Sequence, residues 1–276
     1  MKNKITIIAD NKADKPLVSE HGFSILLEIG SKKILFDTGQ GDSLFHNARL
    51  LGIPLNDLDI LVLSHGHYDH GGNVKKIIDL NPAIDFVAHP DCLHTRYSYH
   101  KGVGLESVSL TEENRAAILS LPEKQIYWCR EEVEILPRVW LTGSIERVND
   151  FEDTGGAFFA DKKMENPDLL MDDLSLWIEG DNGLTVICGC CHSGIQNTIE
   201  QILLVNQNFS IDTIIGGLHL VHASTSRMDK TITYINSIEI HKLIGAHCSG
   251  ESAMKRFKKE LNADVEIGSA GLSFSL

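Results

Sequence analysis

A wholly apolar segment that ends on a cluster of histidines constrains the fold of this chain more than any other feature. Ile60-Leu61-Val62-Leu63-Ser64 has the continuous hydrophobicity of a strand buried on both faces. The segment runs directly into His65-Gly66-His67-Tyr68-Asp69-His70-Gly71-Gly72, and a helical pattern follows over 73–80. The pattern predicts an α/β protein with a polar loop at the carboxyl end of a buried strand.

Short strands and helices alternate over the rest of the chain. Strands are predicted over 5–8, 23–28, 33–36, 85–88, 125–128, 133–136, 140–142, 174–179, 184–188, 213–216, 242–246 and 265–267, and further helices over 42–51, 194–206, 226–238 and 252–261. Residues 91–110 are predicted to be irregular, and 149–172 to form a long polar excursion. No linker divides the chain, so we expect residues 1–276 to form a single domain built of two similar halves.

The composition excludes several classes of protein. With 276 residues, 42% of them hydrophobic, the chain can bury its own core, and its six cysteines are predicted to be reduced thiols. A net charge of −13 argues against a nucleic-acid partner. No apolar run approaches the roughly 18 residues of a membrane helix, so we expect a cytoplasmic protein with no membrane partner. The sequence leaves the oligomeric state open.

The histidine cluster has the composition of a metal site. Three histidines and one carboxylate fall between His65 and His70, and neutral imidazole is a common ligand of zinc and related metals. Residues two apart in a turning loop can converge on one ion. His65 and His67 are therefore predicted to bind one metal, and Asp69 and His70 a second one beside it. Zinc is the favoured ion, with manganese, iron and magnesium as alternatives.

Later strands end on further candidate ligands. His192, His219 and His247 each follow an apolar strand and a glycine. We predict His192 and His247 to be ligands, whereas His219 is either a ligand or a hydrogen-bonding neighbour of one. Cys190 is either a thiolate ligand or a small buried side chain.

The segment His65-Gly66-His67-Tyr68-Asp69-His70 resembles the HxHxDH motif of the metallo-β-lactamase superfamily. Within that superfamily, the chain resembles the branch of dihydropterin-ribofuranosylaminobenzene phosphate synthase-like metal-dependent hydrolases. Five further segments carry this resemblance: Glu20-His21-Gly22-Phe23-Ser24, Leu35-Phe36-Asp37-Thr38-Gly39, Gly189-Cys190-Cys191-His192-Ser193-Gly194, Gly216-Gly217-Leu218-His219-Leu220 and His247-Cys248-Ser249-Gly250. The resemblance implies an αββα sandwich, two mixed sheets flanked by helices, with a dinuclear metal site at the sheet edges.

The sequence departs from the superfamily where a residue would bridge the two metals. Gly189-Cys190-Cys191 stands in place of the usual Gly-Asp-Thr turn. Either His192 and His219 supply the missing ligands, or Asp172 or Asp173 reaches the metals. The alternative for the aspartate pair is a solvated turn.

Two adjacent metal ions lower the pKa of a shared water and polarise the oxygen under attack, which predicts hydrolysis. Asp69 is predicted to act as the general base as well as a ligand. Asp37 and His21 are predicted to hydrogen-bond the imidazole ligands and orient them.

A small anionic substrate is the partner we expect. Residues 93–104 include Arg96, Tyr97 and Lys101. The positive charges of Arg96 and Lys101 suit a phosphate or carboxylate, and the ring of Tyr97 could stack on a flat heterocycle. A flexible basic loop without a ligand is the alternative.

Three functions follow from these residues and from the resemblance. The first is a metal-dependent hydrolase of a small anionic ester, thioester or phosphodiester. The second, implied by the resemblance, is a transferase that condenses a pterin diphosphate with a ribofuranosylaminobenzene phosphate. The third is a non-catalytic metal or ligand sensor on the same fold. The net charge of −13 and the lack of a basic surface patch weaken a nuclease.

Overall fold

The structure, a computed structural model, describes residues 3–276 as a mixed α/β protein. Its strands are β1 Lys4–Ala9, β2 Ser24–Ile29, β3 Lys32–Phe36, β4 Ile60–Leu63, β5 Asp85–Ala88, β6 Tyr97–His100, β7 Gly104–Ser107, β8 Ile126–Trp128, β9 Val133–Leu136, β10 Val139–Leu141, β11 Phe158–Phe159, β12 Ser175–Glu179, β13 Leu184–Cys188, β14 Ile211–Gly216, β15 Lys242–Gly245, β16 Asp264–Ile267 and β17 Ser273–Ser275. Its helices are α1 Ser43–Leu51, α2 Tyr68–Gly71, α3 Val74–Leu80, α4 Glu112–Ser120, α5 Ile195–Val205, α6 Thr225–Ser237 and α7 Glu251–Glu260.

The first large sheet has seven strands in the order β17-β1-β2-β3-β4-β5-β8. β1, β2 and β3 form an antiparallel meander, because Gly30 adopts a φ of 58° in the tight turn between β2 and β3. β3, β4, β5 and β8 are parallel. This sheet and α1 to α4 belong to one compact unit, which comprises residues 3–96, Ser107–Trp128 and Ser269–Leu276.

Helices cover this first sheet with their apolar faces. Leu44 and Ala48 of α1, Ile77 of α3 and Ile118 of α4 join strand residues in one buried cluster. The four residues of β4 are all buried, as the unbroken apolar run predicts.

The second large sheet also has seven strands, in the order β16-β15-β14-β13-β12-β10-β9. β13 to β16 are parallel, and their register aligns Cys188, Gly216 and Gly245 across three neighbouring strands. These strands therefore end at one level, and the loops that follow them start side by side. The sheet and α5 to α7 belong to a second compact unit, Tyr97–Glu106 and Cys129–Gly268.

The helices of the second unit bury an apolar stripe against their own sheet. Ile199 of α5, Ile232 of α6 and Phe257 of α7 pack with Val186 and Ile214 of the central strands. Two large mixed sheets, each covered by helices, confirm the predicted α/β fold class. The expectation of a single domain stays a prediction.

Several segments differ from the sequence-based assignment, among them β17, which follows the last predicted strand. The stretch predicted to be irregular contains the β6-β7 hairpin, and the polar excursion contributes β11, which pairs with β6 in a small third sheet. These strands are short and alternate weakly in polarity, so their pattern gives little signal. Helix α4 was also absent from the predicted elements, because its mixture of polar and apolar residues gives no clear helical periodicity. Within residues 3–276, no helix is long and apolar enough to cross a membrane.

Replacing Phe257 by alanine tests the second core. Because the Phe257 side chain is fully buried, we expect Phe257→Ala to lower the free energy of unfolding by about 3–5 kcal/mol. Phe209→Ala is the control, since that ring is 37% exposed and should cost about 1 kcal/mol or less. Urea unfolding measures both, and equal losses would contradict this account of the core.

Candidate metal centre

The histidine cluster of the first unit lies where β4 turns into α2. His65 follows the strand, His67 is the residue before the helix with extended backbone (φ −85°, ψ 148°), and His70 lies within α2. The backbone N–H of Thr38 donates to the carbonyl of His70 at 2.6 Å, and that of Gly71 donates to His67 at 2.9 Å. This tight turn holds the three imidazoles on one short stretch of chain.

The three imidazole rings converge inside the protein. The ring centroid of His65 lies 4.5 Å from that of His67 and 4.3 Å from that of His70. Nε2 of His65 is 2.9 Å from Nδ1 of His67. All three residues are buried. Imidazoles this close together can offer several ring nitrogens to one metal ion.

A buried aspartate and a serine fix the tautomers of two of these imidazoles. The Asp37 carboxylate accepts hydrogen bonds from the Ser64 hydroxyl at 2.7 Å and from Nδ1–H of His70 at 2.7 Å. Since the single hydroxyl proton of Ser64 goes to Asp37, its oxygen accepts the Nδ1–H of His65 at 2.9 Å. Nε2 of His65 and of His70 therefore keep a lone pair that can bind a metal.

Asp69 lies at the edge of this cluster. Its Oδ2 is 3.1 Å from Nε2 of His21 and 3.9 Å from Nε2 of His70. The Asp69 side chain is 10% exposed and that of His21 is 53% exposed. A carboxylate beside three neutral imidazoles is a donor set that fits a divalent metal ion. His21 contacts this carboxylate, and its predicted hydrogen bond with an imidazole ligand stays a prediction.

In the second unit, two imidazoles meet at the carboxyl ends of the parallel strands. The rings of His192 and His219 lie 4.2 Å apart, centroid to centroid. Nδ1–H of His192 donates to the carbonyl oxygen of Thr154 at 2.8 Å, which leaves Nε2 as the metal-binding nitrogen. His247 starts the 3-10 turn His247–Ser249 and is also buried.

Two cysteine thiols adjoin these imidazoles. Sγ of Cys248 lies 3.3 Å from Sγ of Cys190. Burial raises the pKa of the Cys248 thiol, but the hydrogen bond with Cys190 and the nearby His219 and His247 outweigh burial and hold that pKa well below its ordinary value. Cys248 was not among the predicted site residues, although its position directly after His247 is a signal that the sequence carries.

Asp173 supports the loop that carries His192. Asp172 and Asp173 are fully buried, which excludes the solvated turn that was the alternative for this pair. Oδ2 of Asp173 accepts a hydrogen bond from the backbone N–H of Ser193 at 2.7 Å. Burial raises the pKa of Asp173 to about 6, while hydrogen bonds from the backbones of Ser193 and His192 oppose that rise. Direct metal binding by either aspartate stays a prediction.

Three candidate residues and Cys191, which lies next to two others, have a strained backbone conformation. Eight non-glycine residues have positive φ in residues 3–276, and four of them are Asp37, Cys191, His219 and His247. Such conformations cost about 1–3 kcal/mol each and persist where the surroundings enforce them, commonly at functional sites.

The predicted substrate-binding residues have different environments. Arg96 is buried, and its Nη2 donates to the carbonyl oxygen of Asp91 at 2.9 Å, so the guanidinium supports the local fold. Tyr97 is half-buried in β6, with Nζ of Lys162 5.9 Å from its ring centroid. Lys101 is exposed in the turn of the β6-β7 hairpin. Contact with a substrate stays a prediction for all three.

Asp37→Asn tests whether the buried carboxylate prepares the histidine cluster for metal. Asparagine tolerates the φ of 63° at this position but is a weaker acceptor for Ser64 and His70. We expect a loss of zinc affinity of roughly 10–100-fold, measured by competition with a chelating dye. Asp57→Asn, which removes an exposed carboxylate paired with Lys33, is the control and should bind zinc as the wild type does. Unchanged affinity in Asp37→Asn would refute the orienting role.

Comparison with known proteins agrees with this arrangement. Residues 19–200 match the family model of the metallo-beta-lactamase superfamily. The chain is 28% identical, over 97% of its length and 95% of the relative, to 7,8-dihydropterin-6-methyl-4-(beta-D-ribofuranosyl)-aminobenzene-5'-phosphate synthase of Methanocaldococcus jannaschii. It is 31% identical, over 92% of its length and 94% of the relative, to the uncharacterized protein MJ0448 of the same organism. A crystal structure of Tm1679, described as a metal-dependent hydrolase of the beta-lactamase superfamily, matches 99% of each chain with a TM-score of 0.83 at 28% identity. The buried histidine cluster, the two mixed sheets and these matches lead to one conclusion: the chain belongs to the metallo-beta-lactamase superfamily.

Proposed function

We propose that this protein is a metal-dependent hydrolase of small anionic esters, thioesters or phosphodiesters, and that its reaction takes place at the histidine cluster of the first unit. The convergence of His65, His67 and His70 next to the carboxylate of Asp69 carries the proposal. Membership of the superfamily and the similarity to Tm1679 support it.

His65 and His67 would hold one metal ion, and Asp69 and His70 a second one beside it, with zinc as our first choice. A divalent ion bound to such a set lowers the pKa of water and polarises the substrate oxygen. Asp37 and Ser64 keep the imidazoles of His70 and His65 in the tautomer that presents Nε2. Because these hydrogen bonds exist before a substrate arrives, the site needs little reorganisation during the reaction.

Asp69 would accept the proton that the attacking water loses. Its carboxylate is largely shielded from solvent, and the imidazole of His21 lies 3.1 Å away on the exposed side. A proton taken up by Asp69 can pass to His21 and from there to solvent, since the pKa of an ordinary imidazole is close to neutral.

The β6-β7 hairpin supplies our candidate contacts to the substrate. Lys101 is exposed in its turn, and the ring of Tyr97 is partly accessible in β6. An ammonium group attracts a phosphate or carboxylate, and an aromatic ring offers a flat apolar surface. Arg96 stays a candidate as well, although its side chain is buried and its Nη2 donates to the carbonyl oxygen of Asp91.

The second candidate is a transferase that condenses a pterin diphosphate with a ribofuranosylaminobenzene phosphate. It is favoured by the 28% identity, over nearly the whole chain, to the synthase of Methanocaldococcus jannaschii. Formation of a condensed pterin product from the two substrates, with no hydrolysis of simple esters, would favour the transferase over the hydrolase.

Hydrolysis of simple substrates tests the proposal directly. We expect the zinc- or manganese-loaded protein to hydrolyse at least one of a chromogenic phosphodiester, a thioester and a carboxylic ester. A chelator should abolish the rate and the added metal should restore it, because metal supplies the activated water. If the loaded protein hydrolyses none of the three and makes no pterin product, the non-catalytic sensor is the function that remains.

The Asp69→Asn variant tests whether Asp69 acts as the general base or only as a metal ligand. An amide cannot take up the proton, so we expect kcat to fall by about 10²–10⁴-fold. Metal content is measured on the same sample, and the control is Asp79→Asn, which removes an exposed carboxylate paired with Lys75 and should leave kcat unchanged. Loss of metal in proportion to activity would assign Asp69 to metal binding alone, and an unchanged kcat would exclude it from both roles.

A further inference from the structure

Helix α5 carries apolar side chains that its own sheet does not cover. A helix that packs on a core needs one apolar stripe, and Ile195, Ile199 and Ile202 provide it, since all three are buried in the core of the second unit. Leu204, by contrast, is 71% exposed, and Val205 is 50% exposed. The carboxyl end of α5 therefore presents apolar surface to solvent.

These exposed side chains line a groove of about 660 Å³, which we call the α5 groove. It is lined by residues between 197 and 207 and by Glu132, Glu146 and Val148. Val148 is 59% exposed, so α5 is not the only source of its apolar surface. The part of α5 that lines the groove, from Asn197 to Val205, is about 12 Å long. This length matches roughly two turns of a helix laid along it.

The α5 groove carries a net negative charge. In the described part of the chain, every ionisable residue that lines it is a glutamate: Glu132, Glu146 and Glu200. Arg147 follows Glu146 in sequence, but its guanidinium donates to two backbone carbonyl oxygens outside the groove lining. An apolar surface bordered by carboxylates favours a partner that combines apolar and cationic side chains.

A smaller cleft of about 240 Å³ continues this surface, since Val205 and Gln207 line both cavities. The cleft adds the side chains of Trp140 and Phe209 and the carboxylate of Glu179. Its combination of apolar and acidic groups is the same as that of the α5 groove. The surface available to a partner thus extends beyond the end of α5.

The charge and exposure of this surface decide which partner suits it. Two copies of the chain, each with a net charge of −13, would bring the glutamates of one groove against those of the other. Anionic lipids and nucleic acids would be repelled for the same reason. A small molecule would be poorly enclosed, because Leu204 and Val148 are both more than half exposed.

We propose that the α5 groove docks a basic amphipathic helix of a partner protein. Apolar side chains of that helix, spaced at i, i+3, i+4 and i+7, cover Val148, Leu204 and Val205, and its lysines or arginines pair with the glutamates of the groove. The proposal does not depend on the hydrolase function, since in residues 3–276 none of the candidate metal ligands lines the groove.

A labelled model peptide tests the groove in the full-length protein. The probe is a fluorescein-labelled peptide of leucine and lysine with helical spacing, and its binding is measured by fluorescence anisotropy near physiological ionic strength. One control peptide has the same composition with leucine and lysine in strict alternation, and another has glutamate in place of lysine. We expect only the helical leucine–lysine peptide to bind saturably. Equal binding of the alternating peptide would indicate attraction by charge alone and would contradict the proposal.

Two variants test whether the peptide binds at the groove. Leu204→Ser should weaken binding by about tenfold, because truncation of an apolar side chain at the centre of an interface commonly has an effect of this size. Glu146→Lys replaces attraction by repulsion, so the affinity should fall by at least about threefold and depend less on salt. Wild-type affinity in both variants overturns the proposal.

The matched controls are Leu119→Ser and Glu165→Lys. Leu119 is 63% exposed on α4, Glu165 is exposed in the second unit, and neither lines the groove. Both variants should bind the peptide as the wild type does. A loss in these controls equal to that in the groove variants would place the peptide elsewhere and contradict the proposal.

Hydrogen exchange on the wild type keeps the test valid if a variant fails to fold. The bound peptide should slow amide exchange in residues 197–207, as mapped by mass spectrometry, and leave α4 unchanged. Protection confined to other segments contradicts the proposal. Sedimentation velocity distinguishes a second copy of the chain: a wild-type dimer that Leu204→Ser converts to monomers would assign the groove to self-association and overturn the proposal.

Discussion

The carboxylate of Asp37 is fully buried and accepts three hydrogen bonds, two from Ser64 and one from His70, each at 2.7 Å. An isolated carboxylate in a protein interior is costly, and these donors offset that cost. The same contacts also orient a second imidazole. Because the Ser64 hydroxyl donates its proton to Asp37, its oxygen accepts a hydrogen bond from Nδ1–H of His65. One buried group thereby sets the tautomer of two histidines. The geometry of the first unit's cluster depends on it.

In the second unit, strand register brings the candidate side chains together. β13, β14 and β15 end at one level, so short loops after them bring together side chains that are far apart in sequence. The loops are tight, and positive φ at Cys191, His219 and His247 reflects this. Strain of this kind is maintained only where the surrounding core is rigid. The helices packed on this sheet provide that rigidity through a fully buried apolar cluster.

The two units differ in the chemistry of their donor groups. Imidazoles and a carboxylate gather in the first, whereas thiols adjoin imidazoles in the second. Imidazole and carboxylate accept many divalent ions, while thiolate narrows the choice towards zinc and softer metals. The segment Gly189-Cys190-Cys191 therefore has a chemical consequence, because it places sulfur beside the imidazoles of the second unit.

Local sequence determined most of the strands and helices and the histidine cluster, because hydrophobic periodicity and close spacing act over a few residues, but it did not reveal β6, β7, β11 or α4. β4 followed directly by His65, His67 and His70 needed no tertiary information. Contacts between residues far apart in the sequence could not be predicted in this way. Asp37 contacts His70, 33 residues further along the chain, and Cys190 contacts Cys248, 58 residues further along. Arg96 was predicted to contact the substrate, and only the fold shows that its side chain is buried, with Nη2 donating to the carbonyl oxygen of Asp91. Tertiary structure decided these points, since strand order, register and burial arise from packing of the whole chain and are not encoded in any one segment.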